Sequence, residues 1–238
     1  MSNELTYLYE THLHTLPASR CAHVGVRENI EFYKSLGYEG VFITNHFLDG
    51  YFKPDDPRSY EEKLDVYFSD YEEGVRIGKE IGLSVFFGIE MTFKGTDFLV
   101  YGLDKEWFLA HPESETLEKS KLLPIMIESG ALVIQAHPFR EARYIDHIRL
   151  FPRVVHGVEV YNACRTDFEN AMALQYADNY GLLHFAGSDN HRGSALMKFG
   201  GMQSPTPILD EKDFVARVLG GEIVPFRFAR EEQEKGDA

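Results

Sequence analysis

The sequence predicts an α/β fold, a TIM-like barrel in a single domain. Three observations carry this. Short runs are nearly continuous in apolar, β-branched and aromatic residues, as in strands buried on both faces. Helical patterns separate most of them, and alternating β and α units favour a mostly parallel sheet. The chain has 238 residues, close to the roughly 250 of one barrel domain.

The expected strands are Leu5–Tyr9, Gly40–Thr44, Leu83–Ile89, Phe98–Tyr101, Leu132–Gln135, Val158–Tyr161 and Leu182–Ala186. Between the first two, Val26, Ile30 and Tyr33 share one helical face, and Gly37 ends that helix. Ser59 with Glu62 reads as a capping box that opens a long charged helix to about Gly82. Leu122, Leu123, Met126 and Ile127 form the apolar face of another helix, closed by Gly130. Phe168, Ala171 and Met172 do the same for a helix ending near Gly181. A last helix, Glu211 to Leu219, precedes a short strand at Ile223–Phe226. The domain is expected to span residues 1–229, and the charged tail, 230–238, to fray.

Composition limits the function. The formal net charge of -14 leaves no electrostatic footprint for a nucleic-acid backbone or an anionic membrane. The two cysteines, Cys21 and Cys164, imply no disulfide framework and suit a reducing compartment. Residues 1–10 lack the pattern of a secretory signal, and no apolar run is long enough for a membrane span. The expected location is the cytoplasm.

Of ten histidines, five follow strands. His12 and His14 come after the first and His46 after the second. His137 follows the fifth and His191 the seventh. Glu90 and Asp189 occupy equivalent places. In a parallel barrel the C-terminal strand ends converge on one face, where active sites lie. His12, His14, His46, Glu90, His137, Asp189 and His191 are therefore expected to meet in one mouth. Residues i and i+2 of a strand point the same way, so His12 and His14 can grip one metal. Imidazole and carboxylate without thiolate suit Zn, Mn or Fe. His23, His111, His147, His156 and His184 are expected to be structural or solvated.

These elements, in this order, resemble the PHP (polymerase and histidinol phosphatase) family over about residues 7–192. The resemblance rests on His12-Leu13-His14, His46, Glu90, His137-Pro138 and Asp189-Asn190-His191. It implies a distorted (β/α)7 barrel with two or three Zn, Mn or Fe ions at its C-terminal face. It also implies hydrolysis of phosphate esters such as histidinol phosphate or nucleotides. On this pattern His12, His14, Glu90 and Asp189 form one complete site. Glu90 bridges to a second metal that His137 also binds, and His46 and His191 serve a third.

Two family positions differ. After His14, where the family carries a His or Asp ligand, the sequence reads Pro17 to His23. Arg20 stands there and cannot ligate, while Cys21 or His23 could substitute. The strand after Glu90, Asp97 to Gly102, carries no His. The second and third sites are each expected to be one ligand short. Glu159, near a strand end, reads either as a partner of the ligands or as an interior residue. Arg20 and Arg140 are candidate phosphate clamps.

The chemistry so implied is attack of a metal-activated water on a small phosphate ester. Glu90, Asp189 and His191 are the candidate catalytic groups, the last two to orient water or protonate the leaving oxygen. Loops Phe47–Arg58 and Lys94–Asp97 are expected to shape the mouth. Two other readings stand beside this one. An amidohydrolase also uses a barrel with a His-x-His after its first strand. A metal-binding module with reduced catalysis would explain the missing ligands.

Overall fold

A computed structural model describes residues 6–230 of the chain. Leu5 and the expected tail beyond Arg230 lie outside the described residues. Arg230 itself is tied down, its N–H donating to the Met197 carbonyl at 2.9 Å.

Seven strands in chain order build the barrel wall. They are β1 (Tyr7–Leu13), β2 (Gly40–Ile43), β3 (Ser84–Phe93), β4 (Thr96–Tyr101), β5 (Leu132–Ala136), β6 (Gly157–Asn162) and β7 (Leu183–Gly187). Two more, β8 (Lys198–Ser204) and β9 (Val224–Ala229), extend the sheet beyond β1, giving the order β7-β6-β5-β4-β3-β2-β1-β8-β9. The sheet curls until its ends nearly meet. Leu13 of β1 bridges Asn190, just past β7, through His14 N–H to Asn190 O and Asn190 N–H to His12 O, both 3.1 Å. β1 thus changes partner along its length, pairing β8 at Tyr7–Tyr9 and the segment after β7 at its other end.

The sheet is less parallel than expected. Pairs β1–β2, β2–β3, β5–β6 and β6–β7 are parallel, while β3–β4, β4–β5, β1–β8 and β8–β9 are antiparallel. The reason is local. β3 runs on to Phe93 and turns at Lys94 (φ 51°) and Gly95 (φ 79°). Two consecutive positive φ angles make the tight hairpin turn that matches strand twist. The segment Lys94–Asp97 is therefore this turn and the start of β4, at the same end of the barrel as Glu90, where Arg140 Nη2 donates to Gly95 O at 3.4 Å. Phe47–Arg58 also departs from expectation at its start, since Phe47, Leu48 and Phe52 are buried in a core cluster with Tyr67, Phe68 and Phe108.

Helices α1 (Val26–Ser35), α2 (Tyr60–Ile81), α3 (Lys105–Ala110), α4 (Lys119–Glu128), α5 (Asp167–Tyr180) and α6 (Glu211–Leu219) connect the strands. Helix α1 buries Val26, Ile30 and Tyr33 as expected. On α4, Leu122, Leu123 and Met126 are buried. On α5 the expected face is wrong. Phe168 is 69% exposed, and Ala173, Tyr176 and Ala177 pack on Val158 instead. A Thr166–Glu169 capping box fixes the start and phase of that helix. Helix α3 and strand β8 were not expected. The first is a short turn capped by Asp104, and the second reads Lys198-Phe199-Gly200-Gly201, where glycine dilutes the strand signal.

The capping box of α2 is present, with Glu62 N–H on Ser59 Oγ at 3.2 Å and Ser59 N–H on Glu62 Oε2 at 2.8 Å. Ser59→Ala is expected to cost about 1 kcal/mol. For a chain of this size that lowers Tm by roughly 2–4 °C, which a thermal melt beside the wild type would measure. No helix among the described residues is long and apolar enough to cross a membrane.

Candidate metal centre

The seven expected ligands converge at the C-terminal ends of the parallel strands. His12 lies within β1 and His14 just after it, and both are fully buried. His12 Nε2 is 3.2 Å from His14 Nε2, 3.4 Å from Glu90 Oε1 and 3.5 Å from Asp189 Oδ1. His14 Nε2 is 3.2 Å from Glu90 Oε2 and 3.6 Å from Asp189 Oδ1. His12 and His14 thus each face both Glu90 and Asp189, and two donor groups result, His12 with His14 and Glu90, and His12 with His137 and Asp189.

Glu90 sits in the middle of the cluster, 1% exposed. Its Oε1 also faces His137 Nε2 at 3.2 Å, and its Oε2 faces His46 Nδ1 at 3.0 Å. Glu90 reaches this place because β3 continues past the end of β2, where His46 bridges it. Another donor group is Glu90, His137 and Asp97, all buried. Asp97 was not foreseen as a ligand. It pairs with Ala136 in the sheet, one residue before His137. Because β4 is antiparallel, its first residues, not its last, lie at this end of the barrel.

A further group joins His14, His46 and His191 to Cys21, with one donor atom of each within 4.8 Å of the others. Cys21 Sγ is 3.1 Å from His191 Nε2. Arg20 beside it is exposed and lies apart from the cavity, so the structure does not support it as a clamp. His23 is exposed at the cavity rim. His156 accepts from Val133 N–H, His111 stacks on Trp107, and His147 and His184 face Asp146 and Asp178. None of these four belongs to the cluster.

Outer contacts hold the ligands in place. Glu159 is fully buried and receives His12 Nδ1 on Oε1 at 2.9 Å, and His137 N–H at 3.0 Å and Asn162 Nδ2 at 2.9 Å on Oε2. A carboxylate on Nδ1 fixes the tautomer that leaves Nε2 free for a metal. Ser19 Oγ lies 3.1 Å from His14 Nδ1 and accepts His46 N–H at 3.0 Å. Glu10 accepts three N–H groups, from Thr11, His12 and Ser188, each at 2.9 Å, and so ties β1 to the end of β7. Gly187 is required here, since a Cβ on it would meet the His12 Cβ at 2.5 Å and Glu159 Oε1 at 2.8 Å. Two ligands, His137 (φ 24°) and Asp189 (φ 54°), have left-handed backbones. Such strain, of order 1–3 kcal/mol per residue, persists where surrounding structure imposes it, commonly at functional sites.

The electrostatics call for cations. Burial alone would lower the His12 pKa, but the carboxylates of Asp189, Glu159 and Glu90 outweigh it and hold the imidazole well above its usual value. Burial likewise opposes ionisation of Glu90 and Asp189, yet the neighbouring imidazoles keep both well below the usual carboxylate range. Burial, then the charges of His191 and His46, keep His14 well below its usual value. Burial works against charging His46 and His191, but Glu90 lifts the first to about 9 and Asp189 the second to about 10. Without metal, imidazolium protons must balance the carboxylates. Both oxygens of Asp97 lack an aligned hydrogen bond, although Arg140 Nη2 comes within 2.7 Å of Oδ2. Imidazoles that give up the imidazolium proton on binding, buried carboxylates and these unused lone pairs form a donor set that fits divalent ions.

A cavity of about 450 Å³ opens over the cluster. Asp189, His191 and Cys21 line it together with Arg140, Arg165 and Arg192. Arg165 Nε is buried there without a hydrogen-bond partner. The sequence singled out Arg140 but gave no sign of Arg165 or Arg192, which reach the cavity only through the loops after β6 and β7.

No family model matches the sequence. An uncharacterised protein of Methanocaldococcus jannaschii is 33% identical over 121 residues, 45% of this chain. The chain spans about half, 51%, of that curated relative. Among solved structures, a two-domain protein of Bacteroides vulgatus that contains a predicted PHP-like metal-dependent phosphoesterase matches 93% of this chain and 65% of its own. Its TM-score is 0.66 at 13% identity. An amidohydrolase of Chromobacterium violaceum, solved with bound sulfate and no metal, matches 95% of this chain and 99% of its own, with a TM-score of 0.53 at 12% identity. The chain therefore has the TIM-like barrel fold of PHP-like phosphoesterases, a fold it shares with amidohydrolases.

Proposed function

We propose that the protein is a metal-dependent hydrolase of small phosphate esters. The observation that carries this reading is one cavity in which Arg140, Arg165 and Arg192 face the ligands Asp189 and His191. A chain of net charge -14 with a floor of carboxylates would otherwise repel an anionic substrate. Guanidinium groups bind phosphate oxygens in pairs and remain charged at all working pH values. An amide substrate has no need of three.

His12, His14, Glu90 and Asp189 would hold one divalent ion, Glu90, Asp97 and His137 a second, and Cys21, His46 and His191 a third. Bound there, Zn, Mn or Fe supplies Lewis acidity and brings the pKa of water toward about 7. Glu159 and Ser19 keep the imidazoles turned inward. Arg165 and Arg192 hold the phosphate at the cavity mouth, and Arg140 does so while paired with Asp97. Cys21 and Cys164 are free thiols, which suits a reducing, cytoplasmic setting.

The test is phosphate release from a panel of mono- and diesters by protein loaded with Zn or Mn, beside amide and lactone substrates. Arg165→Ala is expected to raise KM by about tenfold with a smaller effect on kcat, because one charge-assisted contact contributes about 1.5–3 kcal/mol. Amide turnover without phosphate release would support the amidohydrolase reading instead. No turnover in any arm would leave a metal-binding module.

A further inference from the structure

We propose that Cys21, His46 and His191 form a zinc-selective thiolate site, chemically unlike the carboxylate-rich sites beside it. The proposal rests on the metal-centre reading and deepens it.

The three donors come from separate segments. Cys21 is on the turn between β1 and α1, His46 follows β2 and His191 follows β7. Their ligand atoms lie within 4.8 Å of one another, and Cys21 Sγ is 3.1 Å from His191 Nε2. Donors around one tetrahedral ion at about 2.0–2.3 Å are spaced by roughly 3.3–3.8 Å, so small movements complete the shell. His14 is near the same group, but its Nε2 faces His12, Glu90 and Asp189. It belongs to the buried site. That leaves three protein ligands and one open position toward the cavity, the pattern of a catalytic zinc site.

The other thiol does not compete. Cys164 Sγ donates to the Asp189 carbonyl at 3.3 Å and belongs to none of the donor groups among the described residues. The turn that carries Cys21 is braced, with Ser19 N–H on Thr15 O at 2.9 Å and Ala22 N–H on Ser19 O at 3.1 Å. The thiol is exposed on one side and faces two imidazoles on the other.

A thiolate donor changes which metal binds. Sulfur favours zinc over the hard ion manganese, whereas Glu90, Asp97 and Asp189 accept either. On binding, the Cys21 S–H bond breaks, the S–Zn bond forms and one proton leaves to solvent, with no change of oxidation state. The centre would then hold ions of different kinds when zinc and manganese compete.

The test uses the full chain, wild type and Cys21→Ser. Cobalt(II) loading of the wild type should give a near-ultraviolet thiolate-to-cobalt charge-transfer band, absent in Cys21→Ser. Bound zinc should fall by about one equivalent in the variant, while bound manganese stays the same. In the wild type, zinc should slow alkylation of Cys21 by at least about tenfold, and manganese should not, since the free thiolate is the reactive form. Peptide mapping separates Cys21 from Cys164 and needs no variant. Normal metal loading with no charge-transfer band and no zinc protection overturns the thiolate site but leaves the carboxylate sites standing. Failure of the wild type to bind any divalent metal overturns both readings.

Discussion

Glu90→Gln is expected to remove at least one equivalent of bound metal and to lower hydrolysis by at least about a thousandfold, some 4 kcal/mol of activation free energy. The substitution keeps the size of the side chain and removes its charge. Glu90 lies between four imidazoles, with His12 and His137 at 3.4 and 3.2 Å from Oε1 and His14 and His46 at 3.2 and 3.0 Å from Oε2. Its two oxygens therefore face two donor groups at shorter range than Asp189, whose Oδ1 is 3.5 and 3.6 Å from His12 and His14 and whose Oδ2 is 3.8 Å from His137. An amide at this place would also turn two N–H donors toward imidazole nitrogens that must themselves act as donors to metal. His46→Ala removes a ligand only at the half-exposed end of the cluster, so total bound metal should fall less. Metal analysis and phosphoesterase rates for both variants decide the matter. Full activity in Glu90→Gln with complete metal loss in His46→Ala would mean that the cluster is partitioned differently.

The residues of the cluster were legible in the sequence where a positional rule held and hidden where the fold broke that rule. A parallel strand brings its last residues to the mouth, so the residues at the ends of β1, β2, β5 and β7 could be read directly. Asp97 could not, because the turn at Lys94 and Gly95 reverses β4 and brings its first residues to the same face. The clue was present in Lys94-Gly95, a dipeptide suited to a two-residue hairpin, between two apolar runs. Cys21 was weighed only as a substitute, since a residue on an irregular turn has no periodicity to fix its direction. Glu159 was undecided for a related reason. Its partners, His12 Nδ1 and His137 N–H, lie 147 and 22 residues away, and such pairings exist only after closure of the barrel.

The fold shows the same division. The strands from β1 to β7 announced themselves by apolar runs, and the helix starting at Ser59 by its capping box. Strand β8 did not, because Gly200 and Gly201 interrupt its side-chain pattern although both are buried in the sheet. The expected face of α5 was off because Phe168 looked like an anchor. In the structure small residues, Ala173 and Ala177, allow the helix to approach Val158, and the large ring is left outside.

Removal of metal is expected to lower Tm by roughly 8–16 °C for each ion bound at about a thousand times its dissociation constant. An ion at that level contributes about 4 kcal/mol by mass action, and each kcal/mol is worth about 2–4 °C in a chain of this size. The metal-free protein should also become pH-sensitive in a defined direction. Against burial, His12 is held well above its usual pKa by carboxylates, His46 near 9 by Glu90 and then the Cys21 sulfur, and His191 near 10 by Asp189 and then the same sulfur. Their folded pKa values exceed the unfolded value of about 6.5. The stability they contribute is therefore complete below that value and is lost as pH rises toward 9–10. Glu10 acts in the same sense, since burial raises it to about 7 against hydrogen bonds from Ser188, the His12 N–H and Tyr33 that lower it. Glu90 and Asp189 are depressed and act oppositely, so their contribution is lost only on acidification below the ordinary carboxylate range. His14, held low by burial, and Cys21, lowered against burial to about 6 by His191 and His46, also act oppositely, so the metal-free protein should be most stable near about pH 6–7 and weaken toward about pH 9.5. Bound metal replaces the imidazolium protons, so the loaded protein should keep only the smaller alkaline decline that Glu10 causes. Thermal melts of loaded and chelated protein at pH 6, 8 and 9.5, with metal content measured on each sample, test both parts. An unchanged Tm after confirmed metal loss, or a metal-free protein as stable at pH 9.5 as at pH 6, would show that these carboxylates do not depend on cations in the folded state.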